Sequence, residues 1–139
     1  MPANTKPIFT LTGNFAPARI AAANAAADGS GTLVTIVTAA TDGTRVDGVR
    51  FRNSQASAAA STAMRHCVFL SNTSATNYRL VGEALTAAAT RSNTVLGATS
   101  IITFDQPIIM KSGQILAVCQ SAYAGAQDQF DAIAYAGDY

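Results

Sequence analysis

Short runs rich in β-branched residues, separated by Gly, Asn, Asp, Ser and Ala, recur along the whole chain. The runs lie at 7–12, 32–39, 44–53, 64–72, 77–85, 98–106, 114–122 and 129–139. Turns at this spacing are typical of β-sandwiches and barrels. A parallel α/β fold would need several helices of ten or more residues between strands, and the sequence offers at most one. We therefore predict an all-β fold, an antiparallel β-sandwich or jelly-roll-like barrel of about eight strands.

The chain of 139 residues is the length of one ordinary domain. Residues 1–31 are predicted to form an N-terminal strand or arm with an Ala-rich connection, and 32–139 the β-sandwich. Within the connection, residues 18–27 favour a short helix ended by Asp28-Gly29, although a flexible arm fits the composition nearly as well. No basic region followed by a leucine-rich stretch opens the chain, so we expect a protein made and used in the cytoplasm.

The clearest hairpin joins 32–39 to 44–53 through a short loop whose turn signal is Asp42-Gly43. In the second strand Val49 and Phe51 share one face, and Val46 has the wrong parity to join them. One extra residue in the strand restores the alternation. The sequence therefore predicts a β-bulge at Asp47-Gly48.

Residues 64–72, MRHCVFLSN, form the most apolar strand, and both of its faces are predicted to be buried. That pattern suits a central strand or one covered by a neighbouring subunit. Cys67 in this strand and Cys119 in 114–122 each lie in an apolar run, which favours reduced, buried thiols over a disulfide. Residues 77–85 alternate Tyr78 and Leu80 against Arg79 and Val81, as in a strand with one solvated face.

Only 12% of the residues are charged, about half the usual share of a soluble domain. The surface must then consist largely of Ala, Ser, Thr, Asn and Gln, which a partner can cover without desolvating many ions. A Thr- and Ala-rich secreted β domain has a similar composition. The net charge of +1 predicts no strong attraction to nucleic acid or to a membrane.

Catalytic machinery is not evident in the sequence. His66 is the only histidine, and Cys67 beside it points to the opposite face of the strand, so the two do not form a nucleophile–base pair. We expect a structural histidine, hydrogen bonded to backbone or exposed at an edge. The protein is therefore predicted not to be an enzyme and to have no catalytic residues. Only a pocket assembled around His66 would change that expectation.

Metal and cofactor sites are equally hard to assemble. A structural zinc needs four Cys or His ligands, and the chain has three. The run from Asp42 to Asp47 places an arginine where a calcium loop needs an oxygen ligand, which favours a hairpin turn with a bulge. Asp128, Asp131 and Asp138 form a somewhat better acidic cluster, although solvated carboxylates are the expected state. No metal and no cofactor are predicted.

Binding platforms are also sparse. Gly29-Ser30-Gly31 lacks the lysine of a phosphate-binding loop. Arg50, Arg52 and Arg65 are candidates for a basic stripe. No aromatic residues are interleaved with them, as they are in many nucleic-acid-binding sites. The chain has no Trp, which weakens a carbohydrate-binding interpretation. The tyrosines that remain as candidate platforms are Tyr78, Tyr123, Tyr135 and Tyr139.

Four segments carry a resemblance to a known class of proteins. They are DGSGTLVTIVTAATDGTRVDGVRFRN, RHCVFLSNTSATNYRLVGEAL, PIIMKSGQILAV and FDAIAYAGDY, within 28–139. This series resembles small virion structural proteins of tailed bacteriophages. The resemblance implies a capsid decoration (cement) protein, which binds the outer face of the head, clamps neighbouring capsomers of the major capsid protein lattice and is commonly a homotrimer. It implies no catalytic residues.

An apolar N-terminal segment fits such a role. Ile8, Phe9, Leu11 and Phe15 are candidates for an assembly arm that adds a strand to a neighbour or to the shell. The alternative is that 7–12 is simply the first strand of the sandwich. A tail or fibre module, or another receptor- or glycan-binding β-sandwich, is the competing function, and an exposed aromatic cluster would favour it.

Overall fold

The computed structural model describes residues 10–14, 16–55 and 59–139. The described ranges contain nine strands and no α-helix, only a 3₁₀ turn at Ala126–Asp128. The strands are β1 (Thr12–Gly13), β2 (Ala18–Ile20), β3 (Val34–Thr38), β4 (Thr44–Asn53), β5 (Met64–Leu70), β6 (Arg79–Thr86), β7 (Thr99–Met110), β8 (Ile115–Gln120) and β9 (Phe130–Asp138). The all-β prediction is confirmed.

The strands form two antiparallel sheets. The five-stranded sheet has the order β1-β9-β4-β7, with β2 also paired to β9, and the four-stranded sheet has the order β3-β8-β5-β6. The strands β2 to β5 pair in reverse order with β6 to β9, as in one long hairpin. The resulting pairs are β2–β9, β3–β8, β4–β7 and β5–β6. Because β9 also pairs with β4 and β8 with β5, this hairpin is rolled into a jelly roll.

The bulge predicted in β4 is confirmed. The register shifts between Val46 and Gly48 in the pairing with β7 and again in the pairing with β9. Val46 and Val49 are therefore both fully buried between the sheets despite their parity. At Gly48 a Cβ would lie 2.7 Å from the Ile102 carbonyl oxygen, so the residue type suits the close approach of β7.

The helix suggested for 18–27 is wrong. Residues 18–20 form β2, and 21–33 is irregular. Ile20 is buried in the core and Arg19 bonds Asp131 on β9, so strand pairing overrides the helix propensity of alanine. The segment 21–33 then crosses the outer face of the four-stranded sheet, where the Asn24 amide donates to the Gln120 carbonyl over 2.7 Å.

This crossing explains why β5 is buried on both faces, as predicted. Its inner face packs in the main core, and its outer face carries Cys67 and Phe69, which pack with Cys119, Leu33 and Tyr78. The cover is part of the same chain rather than a neighbouring subunit. The Cys119 thiol lies 3.4 Å from the Asn24 carbonyl oxygen and donates to it.

β6 and β7 are the outermost strands of their sheets on the same side of the sandwich. The regular alternation of buried and exposed side chains expected in β6 is interrupted. Val68 and Phe69 of β5 pair with Gly82 and Leu80, so the register shifts by one residue between them. Val81 is the extra residue and packs on the core, whereas Leu80 is exposed. β7 is longer than predicted because Pro107, which has no N–H to donate, lies on an edge strand.

Candidate functional site

His66 lies in the centre of the core. The imidazole stacks on Phe51 with ring centroids 4.5 Å apart and lies 4.6 Å from the ring of Phe130. Its Nδ1 is 2.8 Å from the Thr86 hydroxyl, which donates to Ser100. The side chain is fully buried. The expectation of a backbone-bonded or edge histidine is therefore wrong, because β5 is a central strand and side-chain hydroxyls supply the polar partners.

Burial lowers the pKa of His66 to about 4. Since the Thr86 hydroxyl donates its hydrogen to Ser100, Nδ1 is the nitrogen left to donate to Thr86. Nε2 then has no hydrogen-bond partner among the described residues, so a second proton there would be unsatisfied. This neutral, enclosed imidazole stabilises packing and has no solvent-accessible atom with which to act as a base.

The two thiols are opposite each other. Cys67 on β5 and Cys119 on β8 are register partners, and both are free and buried. Burial raises the pKa of both, that of Cys119 to about 12. As expected, Cys67 is on the opposite face of β5 from His66, since the two belong to separate clusters. Protonated thiols are poor nucleophiles.

The three C-terminal aspartates do not converge. Asp128 is buried and accepts hydrogen bonds from the Thr62 amide (2.6 Å) and the Ala124 amide (2.7 Å), Asp131 pairs with Arg19, and Asp138 accepts from the Asn14 side chain. The interpretation of Asp128 as a solvated carboxylate is wrong. Within the described ranges, no three His, Cys, Asp or Glu side chains are close enough to share a metal ion.

Asp128 instead fixes a loop. Burial raises its pKa, but the hydrogen bonds from Thr62 and Ala124 outweigh burial, and the pKa lies below its ordinary value. The carboxylate thereby ties the segment after β8 to the residues before β5.

Four arginines converge on the outer face of the five-stranded sheet. Arg19 of β2, Arg50 and Arg52 of β4, and Arg91 from the segment after β6 line a groove of about 440 Å³. Of the described residues that line it, Asp131 is the only acidic one. The sequence indicated Arg50 and Arg52 by their alternation, but Arg19 and Arg91 gave no signal, because tertiary pairing alone brings them there.

The third member of the predicted basic stripe lies elsewhere. Arg65 is on the outer face of the four-stranded sheet, where its guanidinium donates to the Ala25 carbonyl over 3.0 Å and pairs with Glu83 at 3.8 Å. The prediction of one stripe containing Arg50, Arg52 and Arg65 is therefore wrong, because β4 and β5 belong to different sheets.

A second groove lies at one end of the sandwich. It has a volume of about 690 Å³ and lies between the β3–β4 loop at 41–43 and the turn after β7, with Tyr139 beside it. Asp42 and Lys111 are its charged residues. Among the described residues, no His, Cys or Glu lines this groove.

Exposed apolar side chains concentrate on one side of the molecule. Six of the eight large apolar side chains exposed in the described ranges belong to β6, β7 and the segment between them. They are Leu80, Leu85, Val95, Leu96, Ile101 and Ile109. We call this set the β6–β7 edge. Leu85 is 84% exposed and Leu96 is 75% exposed, so neither contributes to the core.

Of the four candidate arm residues, only Leu11 lies in the described ranges. Its amide donates to the Asp138 carbonyl over 2.7 Å, just before β1, while its side chain is 83% exposed. Ile8, Phe9 and Phe15 lie outside the described residues. Among the tyrosines, Tyr135 alone is exposed, at 39%.

No helix in the part of the chain that the structure describes is long and apolar enough to cross a membrane. No protein-family model matches the sequence, and no curated protein is significantly similar to it.

Proposed function

We propose that this protein is a non-enzymatic structural subunit of a tailed-phage virion. In this proposal it is a capsid decoration (cement) protein that binds the outer face of the head as a homotrimer and stabilises contacts between capsomers. The observation that carries the proposal is the β6–β7 edge, an exposed apolar side on a body with few charges. Exposed apolar side chains that are concentrated in one region are typical of surfaces that contact other proteins.

The titratable groups support a structural role rather than chemistry. His66, Cys67, Cys119 and Asp128 are buried, and their partners belong to the fold. Jelly rolls occur in viral capsid domains, lectins and cupins, so the topology by itself does not select among these functions. The sequence resemblance over 28–139 directs the choice to virion proteins.

The β6–β7 edge also suits self-association. Within the described ranges, β6 and β7 each have one unpaired side, and edge strands with exposed aliphatic side chains readily contact a second chain. A homotrimer formed in this way would present three copies of every other surface to the capsid. Several weak contacts repeated over a lattice then hold firmly by avidity.

Light scattering on the purified chain tests the homotrimer. We expect a mass about three times the 14.3 kDa of the chain, reduced to 14.3 kDa by Leu85→Ser together with Ile109→Ser. Tyr135→Ser is the control, since Tyr135 is also exposed but lies on β9, outside the β6–β7 edge. A monomer in the unmodified protein would exclude the trimer.

Antibody labelling of the native phage particle tests the location. The cement proposal requires label on the head, at a fixed number of copies per capsomer. Label confined to the tail would favour a tail or fibre module instead, and particles without label would exclude a virion component.

A further inference from the structure

The arginine groove concentrates positive charge. Four guanidinium groups face one carboxylate, a surplus of three charges in a chain whose net charge is +1. All four are arginines, whose planar forks bind carboxylate or phosphate oxygens in pairs.

Two of these arginines already have partners, and two do not. Arg19 donates to Asp131 over 3.1 Å and Arg91 to the Gln55 carbonyl over 3.0 Å, which fixes the sides of the groove. Arg50 and Arg52 form no hydrogen bond or ion pair with any residue that the structure describes.

Buried donors in the groove also lack acceptors. The Arg50 Nε and the Ser54 hydroxyl are buried and have no hydrogen-bond partner within the described ranges. Buried polar atoms are nearly always paired in proteins. A third buried atom of the groove residues, the Asn53 Oδ1, is an acceptor that also lacks a partner there. The surplus of arginines, and the lack of partners for Arg50 and Arg52, are therefore what favour an anionic ligand.

Two aliphatic side chains lie beside Arg50. Arg50 is the register partner of Ile133 on β9 and of Ile101 on β7, and Ile101 is 53% exposed. The outer sheet face therefore continues from arginines into aliphatic side chains. Sites for single-stranded nucleic acid instead use several aromatic side chains for base stacking, and Tyr135 is the one exposed tyrosine on β9.

We propose that the groove docks an acidic segment of a partner protein. Arg50 and Arg52 bind its carboxylates, and Ile133, which also lines the groove, contacts an apolar residue beside the acidic one. Charge complementarity carries this choice of partner. The inference rests on the proposed function in taking the partner to be a protein of the assembly.

Titration of the full chain with a short capped peptide of alternating glutamate and leucine tests the groove, with amide NMR shifts as the readout. We expect saturable shifts in β4 and β9 that weaken as salt is added. Arg50→Gln with Arg52→Gln should weaken binding roughly tenfold or more. Arg79→Gln, an exposed arginine on the other sheet, is the matched control and should bind like the parent.

The Arg50→Lys variant keeps the positive charge but loses the planar guanidinium group that forms two parallel hydrogen bonds to a carboxylate. It therefore separates the effect of charge from that of hydrogen-bond geometry. Binding weaker than the parent supports paired recognition of a carboxylate. Urea unfolding of each variant checks the fold, which should be unchanged since neither arginine has an internal partner.

Three results would overturn the inference. They are equal binding by the Arg50/Arg52 double variant, equal binding of a peptide with glutamine in place of glutamate, and tighter binding of inorganic phosphate or a single-stranded oligonucleotide. These measurements need no particle. If the antibody labels the phage particle but the peptide does not bind, only the proposal for the groove is rejected. If the peptide binds but the particle is not labelled, only the proposed role in the virion is rejected.

Discussion

Mild acid should destabilise the protein through His66, and the loss of stability can be calculated from the pKa of this buried side chain. In the folded state the imidazole lies between Phe51 and Phe130, and its pKa is about 4. In the unfolded chain the pKa returns to its ordinary 6.5. Between these values the unfolded state binds a proton that the folded state excludes.

The sign follows from this difference. The contribution of neutral His66 to the free energy of unfolding is fully present above pH 6.5. It is lost progressively as the pH falls from 6.5 through about 4. The gap corresponds to about 3 kcal/mol once the pH is below both values. At pH 5 the loss from His66 is already about 2 kcal/mol.

Urea unfolding at pH 7.5 and pH 5 measures this loss, with His66→Gln as the reference that cannot titrate. The free energy of unfolding of the parent should fall by about 2 kcal/mol more than that of the variant. Because each protein is compared with itself at the two pH values, the constant loss of stability caused by the substitution cancels. Equal losses in the two proteins, or an imidazole that titrates near pH 6.5 in folded-state NMR, would refute the argument.

Three further outcomes are expected. Asp128→Asn should cost about 2 kcal/mol in urea unfolding because a buried charged acceptor is lost, whereas Asp131→Asn, at an exposed ion pair, should cost at most about 0.5 kcal/mol; similar costs would contradict this. The two thiols should react with an aromatic disulfide reagent at pH 8 only after unfolding, since the pKa of Cys119 is raised to about 12, and rapid native labelling would exclude this burial. Gly113→Ala should lower the free energy of unfolding by about 2 kcal/mol or more because φ is 85° and a Cβ would meet the Thr73 carbonyl; Gly125→Ala, at an extended φ, should cost under about 0.5 kcal/mol, and equal effects would refute the strain.

Local patterns predicted much of the sheet structure. The turn at Asp42-Gly43 and the parity of Val46 against Val49 were enough to place the β3–β4 hairpin and the bulge, because these depend on residues adjacent in the chain. The separation of His66 from Cys67 followed from strand geometry alone. The location of His66 in the core did not, since that depends on which strands surround β5.

Nonlocal pairing decided what local propensity could not. An alanine-rich stretch favours helix in isolation, but burial of Ile20 and the bond from Arg19 to Asp131 fix Ala18–Ile20 as a strand. The same holds for the acidic residues. Their spacing of three and seven residues suggested one cluster, and the path of β9 separates them.

The fold class follows from local sequence patterns, since period-2 apolar runs and frequent turn residues are compatible with few alternatives. The sequence by itself also limited the chemistry, because one histidine and two cysteines are too few for a structural zinc site of four Cys or His ligands. Only the tertiary structure decided that Cys67 lies opposite Cys119, and that Arg19 and Arg91 join Arg50 and Arg52 in one groove. The physical reason is that register and sheet order bring together residues far apart in the chain, and no local pattern encodes those distances.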